Sequence, residues 1–293
     1  MIGAFAGLVG ATLTLWPLPG RTDAGRADPP RQLTYIGSYP FHQGKAGLKE
    51  PSGLTLDPVS GGFLTVSDDS RHVFRTDDAG KVTGVLPKID GLSDPEGIAL
   101  APGTGRRLIL AEEDAAIFAV DAAPPYTVQR RALLEIPGSD MLRDALGGDP
   151  GRLGPEGITV DPVTGTVWVV NERAPRLLVE LSPGLDEIRA VTALTSELGF
   201  VSRDVADARL DVSGLAHDRR RGGIWMSSDT GKCLFFWPRR GGPAHRFDLL
   251  WQDGEDIRRI DNAEGVTLNA AGDRLFVVSD DGKDSRFFVY GID

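Results

Sequence analysis

The chain has 293 residues, 41% hydrophobic and 7% aromatic, with a formal charge of −10 and a pI near 5.0. This composition excludes a disordered chain, and an acidic balance without a basic stripe excludes a nucleic-acid binder; it favours a cation or a basic partner. The single cysteine, Cys233, excludes an intrachain disulfide and a cysteine-based metal cluster, and its place in a predicted strand points to a buried, inert thiol.

Residues 2–19 carry no charge and are followed by Arg21, Asp23 and Arg26. That length suits the core of a signal peptide or a membrane anchor, since a span needs about 20 apolar residues. No basic residue precedes it, unlike an ordinary signal. Residues 20–31, rich in Gly, Pro, Asp and Arg, read as a linker. The expected division is a signal or anchor segment with its linker over 1–31 and one domain over 32–293. The domain is expected to be extracytoplasmic, either periplasmic or facing the periplasm from the membrane.

From there one unit recurs. Its members are Pro51-Ser52-Gly53-Leu54 with Asp68, Asp94-Pro95-Glu96-Gly97-Ile98 with Glu112, Pro155-Glu156-Gly157-Ile158 with Glu172, Val212-Ser213-Gly214-Leu215 with Asp229, and Ala263-Glu264-Gly265-Val266 with Asp280. Each acid stands fifteen residues after its glycine. A short apolar run follows each glycine, then a turn such as Asp57-Pro58-Val59-Ser60-Gly61 or Asp161-Pro162-Val163-Thr164-Gly165, then a second run ending at the acid. Proline presets one turn dihedral and glycine supplies the positive one, so each pair reads as a β-hairpin. Third runs follow at His72–Arg75, Ala116–Val120, Leu177–Glu180 and Leu234–Trp237, and four antiparallel strands make one propeller blade.

The last repeat holds only three strands before the chain stops at Asp293, whereas the run Gln32–Gly37 precedes the first repeat without a partner. Pairing the two predicts an all-β, five-bladed propeller closed by an N-terminal strand. Closure of this kind removes exposed sheet edges. A six-bladed alternative would have to hide a blade in the connections 135–153 or 192–211, where no second glycine-acid frame is found. Those connections are expected to be partly helical, around Ser139–Leu146 and Ser196–Ala208, and the connection Leu250–Asn262 reads as a polar loop.

In a blade the innermost strand lines the central channel and the second runs back beside it. Glu96, Glu156 and Glu264 are therefore expected around one mouth of the channel, with Asp68, Glu112, Glu172, Asp229 and Asp280 nearby. Eight acids with few interleaved bases besides Arg173 and Lys283 repel one another unless protonated or neutralised by a cation, and hard oxygen ligands suit Ca²⁺ or Mg²⁺ rather than zinc. The alternative reading makes the glutamates blade-holding acceptors of backbone N–H groups and the second-strand acids exposed turn residues. Ser52 and Ser213 replace the glutamate in two repeats, which leaves one side of the ring open to a ligand. Arg173 either meets an anionic substrate or pairs with a neighbouring acid. His42, His72, His217 and His245 stand at no metal-ligand spacing, with His217 expected on the opposite face, and no nucleophile elbow, phosphate loop or dinucleotide fingerprint occurs.

These five frames, in the order Ser, Glu, Glu, Ser, Glu before the glycines, with Thr65-Val66-Ser67-Asp68 and Ala111-Glu112-Glu113, resemble the SdiA-regulated family over about residues 45–290. The resemblance implies a bacterial, exported or membrane-anchored five-bladed propeller that binds calcium. Two departures, Val278-Ser279-Asp280-Asp281-Gly282 and Asn262-Ala263, leave the ligands of the last repeat open. Similar glycine-acid hairpins occur in the esterase-like phytase propellers, which have longer chains. Two functions follow: a monomeric, non-catalytic Ca²⁺-binding propeller that takes a small ligand or protein partner on its acidic face, or a metal-dependent phosphoester or ester hydrolase.

Overall fold

The turns explain why the repeat folds as hairpins. In the computed structural model, which describes residues 29–293, Asp57 accepts hydrogen bonds from the Val59 N–H (3.0 Å) and the Ser60 hydroxyl (2.8 Å). Asp161 does the same for Val163 and Thr164, each at 2.8 Å, and Gly165 follows at φ 74°, where a side chain would be strained. The expected signal or anchor segment and most of its linker lie outside the described residues.

Five four-stranded sheets stand around one axis. Blade one comprises Pro51–Leu56, Phe63–Ser67, Phe74–Thr76 and Val82–Val85; blade two Pro95–Leu100, Arg107–Ala111, Ala116–Val120 and Val128–Ala132. Blade three comprises Pro155–Val160, Val167–Asn171, Leu177–Leu181 and Ile188–Ala193; blade four Leu215–Asp218, Gly223–Ser228, Cys233–Pro238 and His245–Asp248. Blade five takes Ala263–Leu268, Arg274–Ser279 and Arg286–Ile292 from the end of the chain and its outermost strand, Leu33–Pro40, from the beginning. That strand pairs antiparallel from Leu33 opposite Ile292 to Pro40 opposite Arg286, so the ring is closed as the sequence predicts.

No sixth blade exists among the described residues. The connection 135–153 holds one short helix, Ser139–Ala145, as expected. The connection 192–211 is not helical over Ser196–Ala208 but has only two 3-10 turns, Ser196–Leu198 and Asp207–Arg209, braced by the buried Arg176 through the Asp207 and Leu210 carbonyls. The segment read as a polar loop is a hairpin, Leu250–Asp253 with Asp256–Arg259, whose Trp251 packs on Phe288. Its charged residues masked the strand pattern.

Five apolar clusters fill the five seams between neighbouring blades. Phe63, Phe74, Phe276 and Phe287 meet between blades five and one, and Trp225, Phe236, Phe288 and Tyr290 between four and five. Each fully buried side chain of this size stabilises the fold by about 1.5–3 kcal/mol. Cys233 is fully buried, as expected.

At the axis the repeat glycines form a closed ring. Gly53 lies against the carbonyl of Glu96, Gly97 against that of Glu156, Gly157 against Ser213, Gly214 against Glu264, and Gly265 against Ser52. A Cβ at any of these would stand only 2.2–2.9 Å from the facing oxygen. The ring encloses about 10 Å³, room for about one water, and so divides the channel into two chambers. Gly157→Ala is therefore expected to destabilise the fold by about 3 kcal/mol or more in urea unfolding, whereas Gly84→Ala, with open space around it, should stay within about 1 kcal/mol of the parent. Equal stability of the two variants would refute close packing at the axis.

Candidate functional site

In four of the five blades the residue before the ring glycine is set by a bulge. In blade three Pro155 pairs with Asn171 and Gly157 with Val170, so Glu156 has no partner in the ladder; Pro95/Gly97 repeats this, and Pro51/Leu54 and Ala263/Val266 shift in the same place. A bulged residue leaves the pleat and re-aims its side chain. Glu96, Glu156 and Glu264 thus point into the chamber above the ring, together with Ser52 and Ser213. Ser213 is structural: its hydroxyl donates to the Ala263 carbonyl (2.9 Å), and the Ser227 hydroxyl beside it donates to the Glu264 carbonyl, joining blades four and five.

The second-strand acids arrive by one backbone bond. The N–H groups of Asp68, Glu112, Glu172 and Asp280 donate to the carbonyls of Glu50, Asp94, Gly154 and Asn262, each three residues before a ring glycine. The chamber, about 170 Å³, is lined by Asp68, Glu96, Glu156, Glu172, Asp229, Glu264 and Asp280, together with Asp211 and Arg173. Glu112 adjoins it: one carboxylate oxygen from each of Glu112, Glu156 and Glu172 lies within 4.8 Å of the others, and the same holds for Asp94, Glu96 and Glu112. All eight predicted acids therefore reach one end of the channel, but they are not equivalent. Asp229 is paired with Lys232 at 3.0 Å, Asp280 accepts the Gly282 N–H (3.2 Å), and Asp68 groups instead with Glu50 and Asp69.

Sequence reasoning missed Asp94, Glu50 and Asp211. Their signal was present, since each stands three residues before its glycine and so faces the acid at plus fifteen. Asp211 is buried, accepting from the Ser228 hydroxyl (2.6 Å) and the Thr230 N–H (3.0 Å). Asn171 positions the chamber wall, accepting from the Gly154 N–H (2.7 Å) and donating to the Arg173 and Pro175 carbonyls. Arg173 pairs with Glu172 at 2.8 Å. No backbone N–H among the described residues donates to the carboxylates of Glu96, Glu156 or Glu264, so a blade-holding role for these side chains has no contact behind it.

Crowding without cations governs their protonation. Burial, then the field of Glu96, pushes Glu156 up to about 11; burial, then Asp94, raises Glu96 to about 9. Burial, then Asp229, raises Glu264 to about 8, and burial, then Glu50, brings Asp68 to about 7. Burial carries Glu172 to about 7 against the opposing pull of Arg173. A cation bound among them would have to displace these protons, so its affinity would rise with pH.

Residues 41–290 match the model of the SdiA-regulated family. The chain belongs to the SdiA-regulated family. No curated protein matches it. Among solved structures, glutaminyl cyclase from Myxococcus xanthus superposes with a TM-score of 0.60 at 12% identity, covering 91% of this chain and 100% of that one. The PQQ-bound aldose sugar dehydrogenase of Streptomyces coelicolor gives 0.53 at 15% identity (90% and 100%), and a gluconolactonase of Xanthomonas campestris 0.50 at 15% (92% and 100%). At these identities the likeness is one of propeller fold alone.

The raised carboxyls give this SdiA-regulated propeller a pH dependence of definite sign. Each folded value lies above the ordinary 3.8 or 4.5, so folding takes up protons; that stabilisation is complete below about pH 4 and is lost as pH rises through 7 to 9. In chelator, calorimetry should find the melting temperature at pH 9 lower than at pH 5.5 by roughly 5 °C or more. A flat or rising profile would contradict the charge crowding.

Proposed function

We propose that this propeller is an extracytoplasmic binding protein that holds Ca²⁺ at the carboxylates around Glu112 and uses the acidic chamber to receive a small ligand or a basic protein partner. One observation carries the reading: Asp94/Glu96/Glu112 and Glu112/Glu156/Glu172 are two oxygen-only triads that share a residue. The donor set fits the ion. Ca²⁺ accepts six to eight oxygens in flexible geometry, whereas Mg²⁺ demands a near-ideal octahedron and keeps several waters. Carboxylates protonated for want of a counter-charge exchange their protons for a divalent cation, and Arg173, already paired with Glu172, leaves Glu96 and Glu156 without an ion-pair partner. Export is supported by the uncharged run 2–19.

The expected result is that the purified protein contains Ca²⁺ by elemental analysis. At about a hundredfold excess over Kd, Ca²⁺ should raise the melting temperature by roughly 5–10 °C, reversed by chelator. Glu156→Gln should abolish most of that gain while leaving the melting temperature of the metal-free protein at pH 8 nearly unchanged, because burial and the field of Glu96 already keep that carboxyl protonated there. Chelation without effect on metal content or melting would sink the cation reading. Turnover of phosphoester or ester substrates that disappears in Glu156→Gln would replace the binding role with hydrolysis.

A further inference from the structure

Below the glycine ring the channel has a different chemistry. The innermost strands open into a funnel of about 610 Å³, within the range of sites that take drug-sized ligands. Leu56, Leu100, Val160 and Leu268 give it apolar walls, and Thr159 and Thr267 supply hydroxyls. His217 also lines it, stacked on Trp168 at 5.3 Å, with burial lowering its pKa so that it adds no charge near neutral pH.

The charge at this mouth runs against the −10 of the whole chain. The turn acids around it are committed: Asp57 to Arg75 at 3.0 Å, Asp161 to its own turn, and Asp218 to Arg221 (3.1 Å) and the Trp225 indole (3.0 Å). Arg219 and Arg220, on the turn after the innermost strand of blade four, line the funnel, are exposed, and make no hydrogen bond or ion pair among the described residues. Two uncompensated guanidinium groups over an apolar cavity match a molecule with an anionic head and an apolar body.

We propose that the funnel binds an amphiphilic carboxylate, its apolar body against the leucine and valine walls and its carboxylate at Arg219 and Arg220. A cationic amphiphile of equal length meets repulsion there, and a neutral one gains only the apolar part. The glycine ring separates this funnel from the acidic chamber, so the proposal stands apart from the cation reading.

Dansyl-labelled undecanoic acid is the probe. Its fluorescence should shift to the blue and intensify on titration with the protein, and dodecanoate should displace it while dodecylamine does not. Arg219→Glu with Arg220→Glu should weaken binding at least tenfold at an unchanged melting temperature, and chelator should leave the parent's affinity as it is. The proposal is overturned by absence of the blue shift, by equal displacement with dodecylamine, or by unchanged affinity of the double variant. Binding confined to phosphatidylglycerol vesicles, with none of the free acid, would also overturn it in favour of a membrane surface.

Discussion

The contact of five glycines with five backbone carbonyls at the axis is the constraint from which the rest follows. Each Cα is pressed on the carbonyl oxygen of the residue before the next blade's ring glycine, so the five sheets approach as closely as backbone permits. The approach brings the seams into register, and aromatic side chains such as Phe63, Trp225 and Phe287 fill them. A wider ring would loosen all five seams at once, because each blade touches two neighbours.

The same ring creates the electrostatic problem at the site. A bulge that presents its carbonyl to a neighbouring glycine also sends the bulged side chain into the chamber, and three of the four bulged residues are glutamates. Burial and mutual repulsion then hold these carboxyls above their ordinary range, with Glu156 the furthest displaced. Where a lysine or an arginine is at hand, as Lys232 beside Asp229 or Arg173 beside Glu172, the charge is partly answered. Glu96, Glu112 and Glu156 have no ion-pair partner among the described residues, Arg173 reaching Glu112 and Glu156 only through its field, and a divalent cation would have most to neutralise there.

The ring also gives the molecule two unlike ends. Above it lies a small chamber walled by carboxylates; below it lies a larger funnel with apolar walls and free arginines. With room for about one water at the constriction, neither end shares a ligand with the other. A single channel thus has two ends of unlike charge.

The fold was legible because it is written in local signals at a constant offset. Asp161-Pro162-Val163-Thr164-Gly165 dictates a hairpin by itself, glycine-to-acid spacing repeats five times, and a spare strand at the start with a last repeat of only three strands implies closure. Charge disguised what alternation would otherwise have marked, as in the hairpin Leu250–Arg259, and the backbone brace from Arg176 replaced the helix expected near Ser196. For the site, the sequence by itself determined which face each acid occupies, since strand polarity and the bulge are local properties of the repeat. Tertiary structure alone decided which acids meet: Glu112 reaches Glu156 and Glu172 across a blade boundary. Distances between blades depend on how closely the sheets pack at the axis, and no spacing along the chain encodes that.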